Sequence, residues 1–189
     1  MSYTPKILAF AGSLRQESFN KKLVKIAVKG AQQAGAEVTF IDLKDYPLPI
    51  FDEDVEKQGL PANARKLKDL FISHQGLLLA CPEYNSSITG VLKNTIDWVS
   101  RSVPNEFPFN DKVAVLMSAS PGALGGLRGL VHVRAILSNL NVLLIPQQVA
   151  VSKANESFNP DGSLKEAKQQ ASVEQLGALV THTLNKLNA

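Results

Sequence analysis

The sequence predicts a doubly wound α/β domain, a three-layer α/β/α sandwich around a five-stranded parallel sheet. Three observations carry this expectation. Short runs rich in Val, Ile, Leu and Phe alternate with longer amphipathic segments, the pattern of strands alternating with helices. The later runs, 77–80, 113–117 and 142–145, are continuously apolar, as is required where helices cover both faces of a sheet. No linker, internal repeat or break in composition interrupts the 189 residues, a length that suits one domain of roughly 100–200 residues spanning 1–189.

Residues 6–11 read as the first strand and 20–34 as the first helix, with Leu23, Val24, Ala27, Val28 and Ala31 on one face. Lys21, Lys22, Lys25 and Lys29 lie mostly on the other, and Gly35 closes the helix because glycine enters positive φ cheaply. The second strand is 37–42. A proline-rich, acidic connection follows over 46–61, where Pro47 and Pro49 suit an extended surface loop. Then come a helix at 63–73, the third strand at 76–81 and a helix at 88–100. The fourth strand is 112–118, and 125–140 carries a helix after a glycine-rich turn. The fifth strand is 142–145, with 147–151 able to extend it beyond Pro146, and 163–187 is the closing helix.

A hydrophobic content of 44% is enough for a core. The 20 basic and 17 acidic residues leave a net charge of +3 without a basic block and with few aromatics, which favours an anionic small molecule over nucleic acid. Cys81 is the only cysteine, so an internal disulfide is excluded and a reducing compartment is compatible. No apolar stretch approaches the ~18 residues that span a bilayer, and residues 1–10 lack the features of a secretory leader. A soluble, cytoplasmic protein without a membrane partner is expected.

Ligands of doubly wound sheets bind beyond the carboxyl ends of the strands, where strand order reverses. The loop after the first strand reads Gly12-Ser13-Leu14-Arg15-Gln16-Glu17-Ser18-Phe19-Asn20. It suits an anion: Gly12 permits a tight turn, Ser13 and Ser18 offer hydroxyls, Arg15 carries fixed charge, and the first helical turn points its N–H groups at the ligand. Ser18 or Asn20 could instead simply cap the helix. A dinucleotide loop would need three glycines where Gly12 stands alone, although Asp42 ends the second strand; a Gly-Lys-Ser/Thr phosphate loop is also absent. A terminal phosphate monoester fits better than a pyrophosphate.

The third strand ends in Cys81-Pro82-Glu83-Tyr84-Asn85, where a rigid proline, a tyrosine and an asparagine can offer a flat surface and hydrogen bonds to the rim of a planar heterocycle. A proline-initiated turn leading to a Ser/Thr cap accounts for the same residues. The fourth strand runs into Ser118-Ala119-Ser120-Pro121-Gly122, with Gly125 and Gly126 beyond, where a backbone without side chains can approach a ligand closely.

These segments together resemble the NADPH-dependent FMN reductases of the flavodoxin-like superfamily, which includes chromate-, quinone- and azo-reducing enzymes. The 12–20 loop is similar to the family's phosphate loop and Pro82-Glu83-Tyr84-Asn85 to its flavin-ring motif. Lys93-Asn94-Thr95-Ile96-Asp97-Trp98 is similar to the segment after it, and 118–126 to its third loop. The resemblance runs over nearly the whole chain. It implies that Ser13, Arg15, Ser18 and Asn20 hold the FMN phosphate, that Pro82, Glu83, Tyr84 and Asn85 border the isoalloxazine, and that Ser120 and Gly122 complete the ring pocket. It implies ping-pong chemistry in which NADPH or NADH gives hydride to flavin N5 and a flavin, quinone, azo compound or metal oxyanion takes the electrons. The cofactor carries that chemistry, so no side chain need be a nucleophile. Dimers or tetramers with the 88–100 helix near the contact are also implied.

Rival readings are weaker. A flavodoxin-type carrier would bind FMN without a nicotinamide site, but such carriers tend to be strongly acidic and aromatic at the flavin; a dinucleotide-dependent dehydrogenase lacks its glycines here. His74, His132 and His182 show no metal-site spacing. Asp52-Glu53-Asp54 reads as a solvated loop, Trp98 as core, and Ser120 lacks the Gly-x-Ser-x-Gly of a hydrolase elbow.

Overall fold

The computed structural model describes residues 3–188. Its strands are β1 (Lys6–Ala11), β2 (Glu37–Phe40), β3 (Gly76–Ala80), β4 (Glu83–Tyr84), β5 (Ser87–Ile88), β6 (Val113–Ala119) and β7 (Leu143–Val151). Five of them form one parallel sheet in the order β2-β1-β3-β6-β7, and β4 and β5 form a separate antiparallel hairpin. The helices are α1 (Phe19–Gln33), α2 (Glu53–Glu56), α3 (Ala62–Ser73), α4 (Gly90–Val99), α5 (Leu127–Asn139), α6 (Ala154–Ser157) and α7 (Ala167–Leu187).

Side chains alternate across each strand, so each strand feeds two cores. Ile7, Ala9, Ala11, Val115 and Met117 pack against α1 and α7. Leu8, Phe10, Leu77, Leu79 and Leu116 pack against α3, α4 and α5. Chain direction away from β1 reverses between β2 on one side and β3 on the other, which places the switch point beside the loops that follow β1 and β3.

The two helices of the first face meet backbone to backbone. A Cβ built on Gly177 would stand 1.9 Å from the Ala27 carbonyl oxygen, and one on Gly30 would stand 1.9 Å from that of Glu174. Thr181 reinforces the crossing by donating to the carbonyls of Gly177 (3.1 Å) and Ala31 (3.4 Å). This close seat fixes where the first turn of α1 emerges at the carboxyl edge of the sheet.

Several boundaries depart from the sequence expectation for local reasons. The helix expected from 88 starts at Gly90, because Ser87 and Ile88 pair with Tyr84 and Glu83 and Thr89 caps α4 through its side chain. The last strand runs unbroken through Pro146, whose missing donor is absorbed by a register shift between Ala114 and Leu116 on β6. β2 stops at Phe40 and gives way to a 3₁₀ turn capped by the Asp42 carboxylate. The 46–61 connection contains α2, capped by Asp52, and α7 starts at Ala167 rather than 163. Trp98 is fully buried, with its Nε1 donating to the Pro49 carbonyl at 2.8 Å.

Gly177→Ala is predicted to destabilise the protein by about 1–3 kcal/mol, the usual cost of overpacking. This outweighs the roughly 1 kcal/mol that alanine gains over glycine in a helix. Urea unfolding measures it, and a stabilised variant would contradict the backbone contact.

Candidate functional site

β1 delivers the chain to Gly12, whose N–H donates to the Ala80 carbonyl at 2.9 Å. A Cβ there would stand 2.9 Å from that of Leu92, so glycine lets the loop lie flat on α4. Thr89 donates to the Gly12 carbonyl at 2.8 Å while its oxygen caps the Leu92 N–H, so one hydroxyl joins this loop to the start of α4. Ser13 accepts from the Arg15 N–H at 3.3 Å. Ser18 occupies the N-cap position of α1, yet its hydroxyl makes no capping hydrogen bond, and the first turn contains no acidic residue. The first N–H groups of a helix have no intrahelical acceptor, so this end of α1 presents uncommitted donors and a positive dipole. Ser13 and Ser18 are buried at the floor, Arg15 is exposed above them, and among the described residues Arg15 forms no ion pair.

Asn20 is committed elsewhere. Its Nδ2 donates to the Ala119 carbonyl at 2.8 Å and its Oδ1 accepts from the Ala119 N–H at 3.0 Å. The side chain thereby staples the start of α1 to the end of β6 inside the protein.

The second loop is a tight hairpin. Asn85 and Ser86 both take positive φ, 51° and 64°, as a two-residue turn between β4 and β5 demands. Tyr84 is 54% exposed. The Glu83 carboxylate turns away and caps α5: Oε2 accepts from the Gly129 N–H at 3.1 Å and Oε1 from Arg128 Nε at 2.9 Å. Burial raises the pKa of this carboxyl, but the Gly129 and Arg128 hydrogen bonds and the Arg128 charge outweigh it, leaving the group below the usual carboxylate range. The third loop is closed on itself. Ser120 accepts from the Gly122 N–H at 3.2 Å, and the Gly122 carbonyl accepts from the Gly125 N–H at 3.2 Å. Gly126 caps α5 in the left-handed region at φ 91°, where a Cβ would strike Ser118 Oγ at 2.8 Å.

These loops converge on one small cleft of about 70 Å³ lined by Ser13, Arg15, Ser18, Asn20, Pro82, Glu83, Tyr84 and Ser120, with Phe19, Ala119 and Pro121 between them. Asn85 lies at the hairpin tip and Gly122 one residue past Pro121, so neither lines the cleft. Sequence reasoning missed the tie made by Asn20, the reach of Glu83 to α5 and the bond from Thr89 to Gly12. A larger groove of about 440 Å³ lies at the opposite, amino end of the sheet, beside Gln75, Lys112, Asn141, Leu143 and Leu187. Among the described residues, no group of three or more His, Cys, Asp or Glu could hold a metal, and no helix is long and apolar enough to cross a membrane.

The donors in the cleft suit a phosphate monoester: buried hydroxyls, an unpaired guanidinium and the free end of α1. The volume is too small to enclose a fused ring system, and Pro82, Tyr84, Ser120 and Pro121 form its rim.

Comparisons with known proteins give the family and the fold. Residues 5–156 match the family model described as NADPH-dependent FMN reductase. A NAD(P)H-dependent FMN reductase of Pseudomonas aeruginosa is 36% identical over 176 residues, covering 93% of this chain and 92% of the relative. A quinone reductase of Escherichia coli is 35% identical over 147 residues, covering 77% and 76%. Among solved structures, the NAD(P)H:acceptor oxidoreductase FerB of Paracoccus denitrificans superposes with a TM-score of 0.82 at 25% identity, covering 97% of this chain and 98% of that one. With the flavodoxin-like sheet order, the phosphate-suited end of α1 and a family match over most of its length, the chain belongs to the NADPH-dependent FMN reductases.

Proposed function

We propose that the cleft grips FMN by its phosphate and leaves one face of the ring open, first to a reduced nicotinamide and then to a small acceptor such as a quinone. The observation that carries this is the uncapped start of α1 beside an unpaired Arg15. When bound, FMN supplies the hydride chemistry, taking two electrons at N5 from NADPH or NADH and releasing them to the acceptor. The protein's part is to bind and to orient.

Ser13, Ser18, Arg15 and the N–H groups of the first turn of α1 hold the phosphate. Asn20 keeps those donors in place through its two bonds to Ala119 and contributes its own backbone N–H rather than its amide. Pro82 and Tyr84 border the ring on one side and Ser120 on the other; the Ser120 oxygen already accepts from Gly122, so its proton is free to be donated. Glu83 acts through α5, fixing the hairpin against the helix, and Asn85 and Gly122 set the shape of the two loops from outside the cleft. The Cys81 thiol takes no part: it is fully buried, and burial pushes its pKa far up. A reducing, cytoplasmic setting suits that lone thiol. Quinones are the favoured acceptor class, because relatives at 35% identity carry that activity in their names.

We also place a self-association surface on the 46–61 connection and α4. Ile50 is 86% exposed, although its neighbours are rigidly held: Asn94 and Trp98 both donate to the Pro49 carbonyl, and the Phe51 N–H donates to Asn94 at 2.8 Å. The family resemblance implies a dimer or tetramer with α4 near the contact, and Ile50 is the exposed apolar side chain on the loop that α4 holds.

Arg15→Gln is predicted to weaken FMN binding by roughly tenfold to a hundredfold, the worth of about 1.5–3 kcal/mol for a hydrogen bond to a charged group. Riboflavin, which lacks the phosphate, should bind wild type and variant alike in fluorescence titrations, and an equal loss for both ligands would contradict a phosphate site at α1. Ile50→Asp is predicted to shift a wild-type dimer or tetramer toward monomer in sedimentation velocity; a variant that sediments as the wild type does would remove this surface from the account.

A further inference from the structure

We infer that the groove at the amino end of the sheet is a second binding site, which takes a small monocarboxylate with an apolar body and pairs it with the Lys112 ammonium. The inference is independent of the flavin reading, because this groove and the cleft lie at opposite ends of the sheet and share no lining residue. Its walls are residues just before or at the start of β3, β6 and β7, together with the end of α7. The backbone fixes them in a row: the Val113 N–H donates to the Gln75 carbonyl at 3.0 Å and the Leu143 N–H to the Lys112 carbonyl at 2.8 Å.

Lys112 carries the argument. The residue is 5% exposed, yet among the described residues its Nζ makes neither a hydrogen bond nor an ion pair. Among those residues no unpartnered polar side-chain atom is sealed from solvent, so the ammonium keeps an opening to the surface, and the groove it lines is that opening. It is not spent on the end of α7, where the Leu184 carbonyl accepts from the N–H and the Nδ2 of Asn188 at 3.2 and 2.8 Å. Burial holds the Lys112 pKa below the usual lysine range, against the charge of Asp111, whose carboxylate stays beyond ion-pair distance. His74 reports the same field: burial lowers its pKa, the hydrogen bond to the Leu70 carbonyl opposes this, and the charges of Lys112 and Lys6 lower it further. A buried charge without a partner is costly, and an anion in the groove offsets that cost.

The rest of the lining sets the class of ligand. Leu143 and Leu187 are exposed and, with the buried Leu184, give an apolar body its seat. The Gln75 Oε1 accepts from the Lys6 N–H at 3.3 Å, which leaves the Nε2 hydrogens to donate to a carboxylate. Asp111 on the rim repels a second negative charge, so a monoanion is favoured over a dicarboxylate or a phosphate dianion. The volume of about 440 Å³ is that of a small-molecule pocket.

The test is an amide NMR titration of the full chain at neutral pH with hexanoate, with hexanol as the neutral probe of equal length and with adipate as the dianion. Hexanoate should shift the amides of Val113, Leu143 and Leu184 saturably and bind about tenfold more tightly than hexanol, a factor worth about 1.4 kcal/mol. Adipate should bind more weakly than hexanoate. In Lys112→Met, which keeps the length and apolar stem of the side chain, hexanoate affinity should fall to that of hexanol while FMN binding stays as in the wild type. Shifts that do not saturate or that lie away from the groove, equal affinity of the wild type for hexanoate and hexanol, adipate bound as tightly as hexanoate, or hexanoate affinity retained in Lys112→Met would each overturn the inference. The comparison of the three probes on the wild type decides it even where the variant does not fold.

Discussion

The pair of hydrogen bonds between the Asn20 amide and the backbone of Ala119 is the constraint on which the site depends. It crosses 99 residues of sequence and is buried, so water cannot replace it. Removing the amide would leave an N–H and a carbonyl unpaired in the interior, at about 1–3 kcal/mol each. Because the bond joins the first turn of α1 to the end of β6, it holds the phosphate-suited loop and the 118–122 loop at one distance from each other. Thr89 performs the corresponding task on the other side by tying Gly12 to α4, and Glu83 ties the hairpin to α5. Three local polar contacts thus convert a sheet edge into a cleft.

The division of labour in the cleft follows from what each loop has left to offer. Secondary structure and loop closure consume most donors of the third loop, including the N–H groups of Gly122 and Gly125. The start of α1 is the exception: it keeps its donors free, and its N-cap serine does not cap. A site that binds a cofactor tightly at its phosphate and loosely shields its ring can exchange one reactant for another on the same face. Flavin-mediated electron transfer between a nicotinamide and a small acceptor requires that exchange.

Much of this was legible in the sequence. The order of strands and helices followed from apolar periodicity, and the loops carrying Ser13, Arg15, Ser18, Pro82, Tyr84 and Ser120 do converge. The two-residue strands at Glu83–Tyr84 and Ser87–Ile88 were not legible, because no period can be read from so short a segment, and their turn rests on Asn85 and Ser86 adopting positive φ without glycine. Nor was the use made of Asn20 and Glu83. Locally, one reads as a cap or a phosphate ligand and the other as a ring contact; their partners are 99 and 46 residues away, and only the assembled fold brings them into reach.

The most direct test is an anaerobic titration of the FMN-loaded protein with NADPH, followed by its visible absorption. The account predicts that the flavin bands bleach with about one equivalent of NADPH and return on addition of a quinone, as transfer of two electrons per flavin requires. Bands that persist with NADPH and bleach only with dithionite would contradict it and leave an FMN-binding electron carrier in its place.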